Sequence, residues 1–105
     1  MRKIAYTVTA TLPDAATAEA YIGWLREGHV EAVLAGGALE GQIVLLEGPG
    51  PEVEVETRYT FAGRGAFEAY ERDHAPGLRA EGLGRFGPER GIRFARRVGE
   101  IVELS

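Results

Sequence analysis

His29 and His74 are the only imidazoles in the chain, and with no cysteine present they are the only side chains whose ordinary titration falls near neutrality. Each follows the same phrase of aromatic, two spacers or nearly so, aromatic, spacer, Arg, acid: Tyr21, Trp24, Arg26 and Glu27 precede His29, and Phe67, Tyr70, Arg72 and Asp73 precede His74. Gly28 is the one insertion between the two copies. Each histidine reads as a helix end, where a protonated imidazole gains about 0.3–1 kcal/mol from the helix dipole. If the two helices run antiparallel, those ends stand about 18 Å apart for a dozen residues, too far to share a metal. A metal site would need three or four ligands, and none cluster around either histidine, so no metal is expected.

Arg79 has no opposite charge at helical spacing in its short segment, since Glu81 is only two residues away. It should therefore reach a carbonyl, a carboxylate of the sheet or of a partner, or an anionic ligand. Gly82-Leu83-Gly84-Arg85-Phe86-Gly87 matches G-x-G-x-x-G letter for letter. A dinucleotide fingerprint lies between a strand and the helix it feeds, whereas this segment follows a helix and precedes a strand. It reads as helix termination and turn, and no cofactor is expected. Tyr21 with Trp24, and Phe67 with Tyr70, form i, i+3 aromatic stripes of the kind that pack a core. Glu68 with Arg72 and Glu81 with Arg85 have the i, i+4 order of surface ion pairs.

The elements that must position these residues follow from periodicity. Residues 3–12 alternate Ile4, Tyr6, Val8, Ala10 and Leu12 against Lys3, Ala5 and three threonines, a strand with one apolar face. Pro13 and Asp14 open a helix that ends or bends near Gly28, followed by a helical turn over 30–34 and a stop at Gly36-Gly37. Residues 39–47 and 53–62 form a hairpin across Gly48-Pro49-Gly50-Pro51. A second helix covers 63–72, Pro76 restarts a short helix through Arg85, and the last strand covers 91–104, with a bulge expected at Gly99. The order is βαββαβ. Two copies of one unit with right-handed crossovers give a ferredoxin-like α+β sandwich over residues 1–105, one domain: a four-stranded antiparallel sheet, order 4-1-3-2, with both helices on one face.

At 105 residues the chain should bury about 65% of its unfolded surface in one core without disulfides. The net charge of -4 argues against a nucleic-acid partner, and Arg90, Arg93, Arg96 and Arg97 fall on a strand whose alternation divides them between faces. No stretch approaches the roughly 18 apolar residues of a membrane span, and no secretory h-region opens the chain, so no membrane partner and a cytoplasmic location are expected. Asparagine is absent, glutamine occurs once, and eleven arginines stand against one lysine. That depletion suits a thermophile, and GC-rich coding accounts for it equally well.

Ile43, Val44, Leu45 and Leu46 are consecutive, so both faces of an edge strand are apolar, whereas helices cover only one face of a two-layer sandwich. A homodimer with sheets face to face would cover the other. Thr7, Thr9, Glu54, Glu56, Arg58 and Thr60 lie on that other face, so the interior between sheets should be partly hydrated and crossed by Glu to Arg pairs.

Asp73-His74-Ala75-Pro76-Gly77-Leu78-Arg79-Ala80-Glu81, then three spacers and Arg85-Phe86-Gly87, resembles the signature of a bacterial family of about 100-residue proteins of unknown function in the dimeric α+β barrel superfamily. Trp24, His29 and Gly36-Gly37 agree with its first half. The superfamily includes cofactor-independent monooxygenases, isomerases, haem enzymes and ligand-sensing modules; the chain lacks a histidine in an extended loop, and haem is not expected. The resemblance leaves two readings. In one, a small organic molecule is bound or transformed in a cleft near the second helix, with Trp24, His29, Tyr70, His74, Arg79, Glu81 and Arg85 as candidate ligand-binding residues. In the other, the protein is a non-catalytic homodimer whose signature fixes the helix-to-strand corner.

Overall fold

A computed structural model describes residues 2–105. Strand β1 (Ile4–Leu12) leads into helix α1 (Ala15–Trp24), a π-helical turn (Leu25–His29) and helix α2 (Val30–Ala35). Strands β2 (Glu40–Leu45) and β3 (Val53–Phe61) form the hairpin. Helices α3 (Arg64–Asp73) and α4 (Ala75–Arg85) and a 3₁₀ turn (Pro88–Arg90) lead to β4 (Arg93–Glu100). The sheet is antiparallel in the order β2-β3-β1-β4, the expected ferredoxin-like topology.

The boundaries have local causes. Asp14 accepts a hydrogen bond from the Thr17 N–H at 2.8 Å, capping α1. Pro76 sits in the first turn of α4, where no N–H partner is required. Three expectations are corrected. Gly99 pairs regularly with Ala5, so β4 has no bulge there. The strand ends at Glu100, and Val102 and Leu104 beyond it are exposed. Gly82 and Gly84 lie inside α4 and do not terminate it; Gly82 instead admits Trp24, whose ring would stand 3.2 Å from a Cβ there.

The core forms two clusters, each drawing on both halves of the chain. Ala10, Leu12, Ala18, Tyr21, Leu25, Val55, Phe86 and Ile92 pack under α1. Ile4, Tyr6, Val33, Tyr59, Phe61, Phe67, Tyr70 and Ala75 pack with α3. Between the clusters, the row across the middle of the helix-facing side is Ile43, Thr57, Val8 and Arg96, set by pairing of Ile43 with Thr57, Thr57 with Val8, and Val8 with Arg96. Small side chains at its centre, between larger aromatics, leave space above Val8 and Thr57.

On the opposite face lie Thr7, Thr9, Val44, Glu56, Arg58 and Arg97, again by register. Arg58 pairs with Glu56 at 2.6 Å and Thr9 donates to Glu56 at 3.0 Å. The hydrogen-bonded Arg58 guanidinium holds the Glu56 carboxyl below the ordinary carboxylate range. Arg96 points to the helix side and Arg93 and Arg97 away from it, so the basic run is divided.

Candidate functional site

The space above Val8 and Thr57 is an inner cavity of about 40 Å³. Its walls include Tyr59 from β3, Trp24 and His29 from the first repeat, Tyr70 from α3, Arg79 from α4 and Arg96 from β4. An outer cleft of about 290 Å³ is lined by Trp24, Glu27, His29, Leu78, Glu81 and Arg85, among others. Trp24, His29 and Leu78 line both.

His29 is at this wall because of the π-helical turn. The Val30 N–H bonds the Leu25 carbonyl, five residues back, and Gly28 takes φ +145°, ψ −20°, a conformation that favours glycine. The extra residue is absorbed inside the helical run, which continues to Ala35. His29 is therefore not a helix end, which corrects the expectation of a charged cap. Its ring stacks on Trp24 at 4.2 Å between centroids. Burial pushes its pKa below 6.5, opposed by nearby Glu81 and assisted by Arg96. In the second repeat, which lacks the insertion, the chain breaks at His74 between α3 and α4. His74 packs beside Gly36 and lines neither space, unlike the other six candidate residues.

Arg79 donates through Nη2 to Tyr6 OH at 3.1 Å and to Glu71 Oε2 at 2.5 Å. The carboxylate comes from α3, the preceding helix, where the expectation was the sheet or a partner. Burial lowers the Arg79 pKa, but the Tyr6 hydrogen bond and the charges of Glu71 and its neighbours outweigh it, and the guanidinium stays charged. Arg72 pairs with Asp73 at 2.9 Å, not with Glu68, and Glu81 and Arg85 make no ion pair; both face the outer cleft. 

Three residues that line the inner cavity each hold a buried polar atom with no partner among the described residues: His29 Nδ1, Tyr59 OH and Arg79 Nε. Burial raises the Tyr59 hydroxyl pKa above its ordinary 10.0. Thr57 lies close enough to temper that rise, but its hydroxyl is directed at the Val8 carbonyl at 3.4 Å, and no well-formed bond joins the two side chains. An unpaired buried polar group costs about 1–3 kcal/mol, so three of them on residues that line one space make it a candidate place for hydrogen-bonding atoms. Tyr59 and Arg96 were not among the candidates; alternation marks Tyr59 only as an inward aromatic, and its orphan hydroxyl emerges from the register. Among the described residues no group of three His, Asp or Glu side chains could hold a metal ion.

Sheet order, helix placement and a cleft between the helices and the sheet define a ferredoxin-like α+β protein. The fold is shared over the whole chain with a dimeric ferredoxin-like protein from an uncultured marine organism, at 16% identity and TM-score 0.75, covering 100% of both chains. A putative antibiotic biosynthesis monooxygenase from Bacillus cereus matches at 13% identity and TM-score 0.68, covering 100% of this chain and 98% of its own. SnoaB, a cofactor-independent oxygenase from Streptomyces nogalater, matches at 11% identity and TM-score 0.61, with 100% and 96% covered. No curated protein matches the chain in sequence. The chain belongs to the family described as a domain of unknown function, DUF4286, which spans residues 3–100.

Proposed function

We propose that the protein binds a small organic molecule at the wall formed by Trp24 and His29, as a cytoplasmic bacterial homodimer whose sheets face each other. The observation that carries the reading is that His29, Tyr59 and Arg79 line one aromatic-walled space and each holds a buried, unpaired polar atom, Nδ1, OH and Nε. The outer cleft supplies the few hundred Å³ that a ligand body needs, and Trp24, His29, Glu81 and Arg85 line it. Tyr70 and Arg79 belong to the inner wall. A cofactor-independent oxygenase and a putative antibiotic biosynthesis monooxygenase among proteins of like fold support the reading as analogy only. The dimer is supported by Val44 on the uncovered sheet face and by dimeric proteins of like fold.

A second reading, a non-catalytic homodimer, is favoured by the filled helix-to-strand corner: Ala75 and Phe86 are buried, and Trp24 closes on Gly82. Native mass spectrometry of protein taken from its own host separates the two. Binding predicts a dimer mass plus a discrete adduct that His29→Ala sheds; a bare dimer beside an unchanged variant favours the second reading.

A further inference from the structure

We infer that the inner cavity receives the carboxylate of a small organic monoacid, an inference that rests on the site being a binding site at all. The donor set comes first. Arg79 Nε can only donate, and Tyr59 OH and His29 Nδ1 can each donate. One group that satisfies all three must be rich in lone pairs, and a carboxylate, with about four acceptor sites, is such a group. An ammonium, which has no lone pair, offers Arg79 Nε nothing to bond.

Charge points the same way. Arg79 and Arg96 line the inner cavity, and no Asp or Glu does. Glu71 and Tyr6 engage Arg79 through Nη2, so of that edge of the guanidinium only the Nε–H is unpaired. Size then limits the head group: about 40 Å³ has room for about three waters at roughly 10–15 Å³ each, which suits the three heavy atoms of a carboxylate. The remainder of the ligand would lie against Trp24 and Leu78, which the outer cleft shares. That cleft carries Glu27 and Glu81 against Arg85, an acidic balance that repels a second anionic group and sets the preference for a monoacid.

Benzoate and benzamide, matched in shape and differing in charge, test this by calorimetry and by the indole N–H resonance of Trp24, the one tryptophan. The expected result is benzoate at least about tenfold tighter than benzamide, with the Trp24 signal shifted, since the amide carbonyl can still accept from Arg79 but lacks the negative charge that pairs with it. Tyr59→Phe, which keeps the ring, should weaken benzoate several-fold and benzamide less; phthalate should bind more weakly than benzoate. Benzamide binding as tightly as benzoate with Trp24 shifted would overturn the carboxylate assignment and leave the binding site standing. Benzoate binding with Trp24 unmoved would overturn its location. No response to either probe, with no adduct on protein from its host, would overturn both the carboxylate and the binding site.

Discussion

His29 is neutral in the fold over a range where an exposed imidazole is charged, and this has a measurable consequence. Burial holds its folded pKa below the unfolded value of 6.5, so the unfolded chain takes up the proton first as pH falls. The associated stability is therefore complete above about pH 6.5 and is lost as pH drops towards the folded pKa. Melting temperature should fall between about pH 7 and 5, and His29→Gln should flatten that slope. An identical slope in the variant would assign the loss to carboxylates instead. The buried tyrosines behave oppositely at high pH: burial pushes Tyr21 up to about 12 and also raises Tyr59 and Tyr70, all from 10.0. Their stability contribution is full below about pH 10 and is lost as pH rises, so tyrosinate absorbance should appear together with unfolding, not before it. Tyr59→Phe removes an unpaired hydroxyl and should leave the free protein equally stable or more stable. A loss near 1 kcal/mol, the usual cost of a broken hydrogen bond, would mean that the hydroxyl has a partner.

At the scale of elements, the internal repeat explains both what the sequence makes legible and what it conceals. Alternation on β1 and β3 and the glycine and proline turns specify strand order, and the aromatic stripes specify which helix faces pack. The Gly28 insertion is visible as one extra residue, yet a glycine in a helical run reads as a stop. The continuation into α2 depends on tertiary packing, through Val33, buried against Tyr70 and its neighbours, which no local propensity records. The inner cavity is likewise hidden: it arises because Val8 and Thr57 meet at the sheet centre, which requires knowing the register. His74 was read as equivalent to His29 by repeat symmetry, and the missing insertion is what separates them. Gly28→Ala should cost about 1–3 kcal/mol from backbone strain alone, because nothing crowds a Cβ at that position. Thermal melting would show a fall of about 4–8 °C for each kcal/mol lost. An unchanged melting point would mean that the π-helical turn relaxes without penalty.

Across the whole molecule, helices cover one face of the sheet and leave Val44, Glu56 and Arg58 on the other. Leu45 points to the helix side, yet it is 59% exposed at the sheet edge, so only part of the apolar run in β2 finds cover within one chain. Val44→Glu would place a carboxylate opposite Glu56 and should convert a dimer to monomer in sedimentation; a wild type that is already a compact monomer at micromolar concentration would refute the face-to-face assembly. The same sheet sets the rear wall of the cavity, so assembly and binding are separable: the variant monomer should still bind if the helix side is intact.

Trp24 reports directly on ligand binding at the proposed cleft, because it is the chain's one tryptophan, stacks on His29 and lines both spaces. Titration of its fluorescence with a panel of small organic acids and their neutral amides is the most direct measurement. A saturable change is expected with at least one acid, lost in Arg79→Gln and in His29→Gln variants whose melting shows them folded. A flat, unsaturable response to the whole panel, with wild type and variants indistinguishable, would contradict it.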